Sequence, residues 1–148
     1  MRFRQGWIVA VIIVIGLLIP ACTRTSTEDG REPEPATVEP IEGTDVARIT
    51  LSADAARRLD IQTAPVREMP GANGGTTAIP YAAVLYDPNG DTWTYTNPEP
   101  LVFVRASIDV DRIDGSKAVL SSGPPPGTEV VIVGSAELLG TEYAVGEE

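Results

Sequence analysis

The chain has 148 residues, 21 acidic against 11 basic, for a net charge of −10, with no histidine and one cysteine. That length suits one modest domain, and the acidic balance lacks the clustered Lys and Arg that neutralise phosphates, so no nucleic-acid partner is expected. A lone Cys excludes an internal disulfide and, without His, makes a poor zinc site. The missing His also removes the commonest general base and the Ser–His and Cys–His nucleophile pairs; the chain is read as no enzyme and as needing no cofactor.

In chain order, Arg2 and Arg4 precede an almost wholly apolar run over residues 7–19, closed by Pro20. A bilayer-spanning helix needs about 20 apolar residues. The shorter run, its basic start and the small Ala21 read as a secretory signal over residues 1–21. Cys22 falls at the cleavage point. Ile19-Pro20-Ala21-Cys22 resembles a bacterial lipobox, with Pro20 as its departure, and the resemblance implies a lipid on the Cys22 sulfur. Two acyl chains hold a protein stably where one binds marginally. An uncleaved anchor with an unmodified Cys22, or a soluble secreted product, are the alternatives. All three place the body outside the cytoplasm, and lipidation places it at the outer face of the cytoplasmic membrane. Removing the signal leaves 9 basic and 21 acidic residues, a net charge of −12. Anionic headgroups repel such a surface, so the anchor must hold it.

Residues 23–44 carry Pro33, Pro35 and Pro40, six acids and no hydrophobic period. With Cys22 they are expected to form a disordered, acidic, Pro-rich linker. The folded part is placed at 45–148. Within it a strand is expected over 46–51. Ser52 is placed to cap a short helix over 53–59, with Asp54 at the positive end of its dipole. A strand over 61–66 and a flexible loop over 70–75 follow. Residues 76–86 read as a strand, and Asp87–Asp91 as a tight turn with Asn89-Gly90 at its tip. Residues 92–96 alternate, with Trp93 and Tyr95 on one face, and Asn97–Pro100 are expected to break the pairing. Residues 101–113 read as one strand with Val102, Val104, Ala106, Ile108 and Val110 on one face. After a turn at Asp114–Ser116, residues 117–122 form a strand and 123–129 a rigid loop. Residues 130–134 are a strand buried on both faces, and 135–140 about one helical turn. The sum is a mainly β fold: a small β-barrel or sandwich with one or two short helices.

"AIPYAAVLYDPNGDTWTYT", "FVRASIDVDRIDG" and "VLSSGPPPGTEVVIVGSAELLG" resemble, in this order, the C-terminal region of periplasmic adaptor subunits (membrane fusion proteins) of RND-type efflux pumps. Pro80, Ala83 and Val84 match the family's first motif. Gly123, Gly127, Val130, Val131, Gly134 and Leu138 match its last. "ITLSADAARRLDIQTAPV" looks like the entry into the family's barrel. The resemblance covers about 100 residues. It implies an adaptor barrel plus a membrane-proximal-like domain, packed on a transporter permease, with association between copies as a further expectation. The lipoyl-like domain and helical hairpin of the family have no counterpart here, since only Pro65–Thr77 spans their place; the form is truncated, and contact with an outer-membrane duct does not carry over.

Trp93, Tyr95, Phe103 and Arg105 are the candidate partner-binding residues, because Trp, Tyr and Arg anchor interfaces; the other reading puts Trp93 and Tyr95 in the β core. Asp87, Asp109, Asp111 and Asp114 lack the spacing of a calcium loop, and no metal site is expected. Ser121 and Ser122 have no base partner and no nucleophile-elbow motif. The reading is a lipid-anchored extracytoplasmic accessory protein acting by contact with a membrane transporter. The alternative is an envelope lipoprotein that binds a small ligand or cation without a transporter, which needs an apolar pocket with convergent polar groups.

Overall fold

A computed structural model describes residues 34–70 and 76–144. The expected signal, the Cys22 lipidation site, the linker up to residue 33 and the loop at 71–75 lie outside these residues.

The linker expectation is corrected at its C-terminal end. Strand β1, Ala36–Pro40, pairs antiparallel with β2, Ala47–Leu51. Ala36 faces Leu51 and Val38 faces Ile49 across the pair, and both pack on the core. Two apolar residues at period 2 suffice for a half-buried strand. Pro40 is tolerated because β1 is an edge strand. Gly43, at φ +80°, lies in the turn that joins the two strands.

Ser52 then caps helix α1, Ala53–Arg58, its Oγ accepting from the Ala55 N–H at 3.1 Å. The chain continues through β3 (Gln62–Pro65), β4 (Arg67–Met69) and β5 (Thr76–Pro80). A 3-10 turn over Tyr81–Ala83 interrupts the strand expected over 76–86, and β6 (Leu85–Tyr86) follows. At the next turn Asp87 Oδ1 accepts from the N–H groups of Asn89 (2.8 Å) and Asp91 (2.9 Å). Gly90 there takes φ +91°, which glycine adopts without steric cost.

Strands β7 (Thr92–Glu99) and β8 (Val102–Ser107) pair next. Asn97–Pro98 does not end β7, as expected from the sequence, but bulges it between Thr96 and Glu99. Asn97 Nδ2 donates to the carbonyls of Glu99 (2.6 Å) and Val102 (2.8 Å), which ties the bulge down. The single strand expected over 101–113 is two. β8 stops at Ser107, the buried Ile108 turns the corner, and β9 (Asp109–Asp114) belongs to the other sheet. Strands β10 (Lys117–Ser122) and β11 (Glu129–Val133) and helix α2 (Ser135–Ala144) complete the chain. α2 has ten residues rather than one turn.

The fold is mainly β, with two antiparallel sheets that are not closed into a barrel. The larger runs β1-β2-β8-β7-β11-β3, with β6 also on β7; the smaller runs β4-β5-β10-β9. The chain passes between sheets at Val66, at Tyr81–Val84, at Ile108 and after Ser122. Such corners are where strands of orthogonally packed sheets switch. One core, with Ile49, Phe103, Tyr95, Val131 and Leu138, lies between the larger sheet and its helices. The second, with Ile79, Ala83, Ile108, Leu120 and Val130, draws on both sheets. β11 thus sends Val131 into one core and Val130 into the other, the two-faced burial expected of it. Each such valine contributes about 1.5–3 kcal/mol by leaving water. Gly134 turns β11 into α2 at φ +90°; a Cβ there would stand 2.2 Å from Ile61 Cδ1.

Four edge strands of the described sheets are blunted. β1 ends in Glu39-Pro40, β3 in Pro65, β4 is three residues before Pro70, and β9 carries Asp109, Asp111, Arg112 and Asp114. Proline and charge at an edge oppose pairing with a further strand.

Candidate functional site

Trp93 and Tyr95 on β7 lie beside Arg105 and Phe103 on β8, and Tyr95 is directly opposite Arg105. Phe103 in turn is opposite Ile49 of β2. Period-2 geometry therefore puts all four side chains on one face of the larger sheet. That face is covered by α1 and α2, which corrects the expectation of an exposed contact surface. Tyr95 is 0% and Phe103 3% exposed, and both are core residues. Trp93 is half-buried.

Arg105 is only 6% exposed, and its charge is met from several sides. Nη2 donates to the Asp45 carbonyl at 2.9 Å and to Glu142 Oε1 at 3.3 Å. Nη1 reaches the Tyr143 hydroxyl at 3.4 Å. The guanidinium lies 4.3 Å from the Trp93 ring centre and 5.7 Å from that of Tyr143, within cation–π range. Glu142 projects from α2 four residues after the core residue Leu138, on the same helix face. Its Oε1 also accepts from the Ala47 N–H at 3.1 Å, and its Oε2 accepts from the Tyr95 hydroxyl. Arg105 Nε has no partner among the described residues. Sequence reading missed Glu142 and Tyr143. The available signal was the spacing of Leu138 and Glu142, which places an acid on the inward stripe of the last helix.

This cluster is a fastening rather than a reactive centre. Burial pushes the Tyr95 hydroxyl well above the usual tyrosine range, and the hydrogen bond and charge of Glu142 add to it, while Arg105 opposes them. A hydroxyl held neutral and already donating is no nucleophile at ordinary pH. Asp87 is likewise engaged. Burial raises its pKa, but the N–H groups of Asp91 and Asn89 and the Trp93 Nε1–H outweigh this and hold the carboxyl below its ordinary value. Trp93 Nε1 donates to Asp87 Oδ2 at 3.3 Å.

The remaining sequence candidates are dispersed. Asp111 pairs with Arg112 at 2.9 Å on the surface, and Ser121 Oγ donates to the Asp109 carbonyl at 3.3 Å. Among the described residues, no three His, Cys, Asp or Glu side chains are placed to hold a metal.

The surface of the described residues includes two open depressions. One, of about 540 Å³, is polar and lies by the Ile108 corner, between Gly90–Trp93 and Ser107–Val110. The other, of about 530 Å³, is an apolar groove between α1 and α2. Leu51 and Ala55 form its floor, Leu59, Gly140 and Ala144 its walls, and Pro35 also lines it. Neither combines apolar walls with convergent buried polar groups. Searches against protein-family models, curated proteins and solved structures find no match to this chain.

Proposed function

We propose that this chain is an extracytoplasmic accessory module, anchored through Cys22, that acts by contact with a membrane transporter. On this reading it resembles the membrane-proximal part of an efflux-pump adaptor. The observation that supports it is where the residues of the resemblance fall. Ala83 and Val130 meet in the second core, and Val84 packs against it. Val131 and Leu138 belong to the first core. Gly127 and Gly134 take positive φ, at +88° and +90°, and a Cβ on Gly123 would stand 2.9 Å from Leu120 Cδ1. A pattern of small and apolar residues carries weight as a scaffold signature only when the fold needs small or apolar groups there, and here it does. Arg105, Glu142 and Tyr95 hold one another in the buried cluster, and the reading assigns the chain contact with a partner as its activity.

Crosslinking in native membranes tests the reading, with recovery of an integral membrane permease as the expected result. Recovery of monomer alone across several crosslinkers would overturn it. Cys22→Ala tests the anchor: the protein should leave the membrane fraction or fail to be processed, and unchanged fractionation would remove the lipid from the scheme.

A further inference from the structure

We infer that the apolar groove between α1 and α2 receives an amphipathic helix of a membrane-embedded partner. This rests on the contact function proposed above and names the surface and the kind of segment.

Three observations converge on it. The first is Gly140. Glycine inside a helix costs about 0.5–1 kcal/mol relative to alanine, so its presence calls for a reason. Gly140 has no positive φ, and a Cβ there would meet no described atom within 4 Å. Neither backbone geometry nor packing within the described fold asks for it. With Ala144 one turn on, it leaves a bare strip of helix that another helix can approach closely, and an apolar groove of this kind is a familiar seat for an amphipathic helix. The second is charge. Arg58 and Glu137 line the groove from α1 and α2, and among the described residues neither has an ion-pair partner. A helix carrying an acid toward Arg58 and a base toward Glu137 fits in one direction only. The third is position. Pro35 lines the groove, and it is the second of the described residues, which begin at Glu34. Twelve residues, 23–34, separate it from Cys22, and this stretch spans at most about 45 Å when extended. An anchored Cys22 therefore keeps the groove within reach of segments at the bilayer surface.

The test uses the full chain in the membranes of the cells that make it. A photoreactive benzoylphenylalanine replaces Glu137 at the groove or Ile113 on edge strand β9, which is exposed. The expected product is a crosslink from position 137 to a carbonate-resistant membrane protein. Gly140→Met fills open space with a better helix former, so folding is retained, while loss of even one anchor contact of 1.4 kcal/mol reduces the crosslink about tenfold. Arg58→Glu is the second variant; it leaves the groove shape alone and should weaken the same product severalfold. A membrane-protein crosslink from Ile113 with none from position 137 keeps the contact function and overturns the groove. Crosslinks from 137 to a second copy, to residues 1–33 or 145–148 of the same chain, or to lipid alone overturn it as well. No membrane-protein product from either position removes the contact function, and this inference with it.

Discussion

Glu142→Ala should be the most damaging single polar substitution in the described fold. Glu142 is 8% exposed and accepts three hydrogen bonds, from Arg105, Tyr95 and the Ala47 N–H. Its loss leaves the buried Arg105 guanidinium without its counter-charge, and removing one partner of a buried pair typically costs 3–5 kcal/mol. The orphaned Tyr95 hydroxyl and Ala47 N–H add about 1–3 kcal/mol each when water cannot reach them. Arg105 keeps the Asp45 carbonyl and the Trp93 ring, and the truncated side chain leaves room for a water, so the expected net cost is about 4 kcal/mol. Total stability of a domain this size is about 5–15 kcal/mol. At a urea slope of about 2 kcal/mol/M the midpoint should fall by about 2 M. Equilibrium unfolding in urea, followed by Trp93 emission in a Trp7→Phe background, reads this directly. The paired variant Arg105→Met with Glu142→Met removes both charges and should recover at least half of the loss. A midpoint shift under about 0.5 M for Glu142→Ala, worth roughly 1 kcal/mol, would refute the claim that the pair is desolvated.

Three further outcomes follow from local geometry. Gly134→Ala forces a side chain to φ +90° and against Ile61, and should cost about 2–4 kcal/mol in a thermal or urea melt; a neutral result would mean that the β11–α2 corner relaxes freely. Ser52→Ala removes the α1 cap and should cost about 1 kcal/mol, with Ser52→Asp retaining most of it. The Tyr95 hydroxyl titrates higher folded than unfolded, so its contribution is complete below the unfolded pKa near 10 and is lost as pH rises beyond it. The urea midpoint should therefore fall more steeply between about pH 9 and 11 in the parent than in Tyr95→Phe, and identical slopes would contradict the burial of that hydroxyl.

Much of the local structure was legible because its causes are local. The Ser52 cap, the Asp87–Asp91 turn and the two-faced β11 each depend on residues within a few positions. β1 was not legible, because the prolines and acids of residues 33–42 dominate the local composition while the two residues that matter, Ala36 and Val38, gain their partners only when Ile49 and Leu51 are present. The corner at Ile108 was missed because the alternation of apolar letters continues through it while the backbone turns. A period reports side-chain facing along a straight strand and is blind to a change of sheet. Nor was the role of Arg105 legible. An arginine in an alternating strand reads as solvent-facing, and only Glu142, 37 residues away, makes its burial tolerable.

That fastening has a consequence for the groove. Apolar packing alone is non-directional, and Leu138 with Leu139 would hold α2 to the sheet over a range of rotations. Glu142 narrows the range, because the Ala47 N–H, the Tyr95 hydroxyl and Arg105 accept one rotation of the helix between them. Fixing Leu138 and Glu142 inward sets Glu137, Gly140, Thr141 and Ala144 along the flank that faces α1, where they line the groove. The buried pair is thus explained better by orientation than by stability, since well-packed apolar residues of similar volume hold a core as firmly. Stability and helix orientation, which usually move together, separate here. The paired Met variant should keep most of its urea midpoint yet lose the crosslink from position 137, because α2 stays docked without keeping its rotation. If that variant crosslinks as the parent does, the ion pair sets no orientation, and the placement of Gly140 must come from the apolar contacts of Leu138 alone.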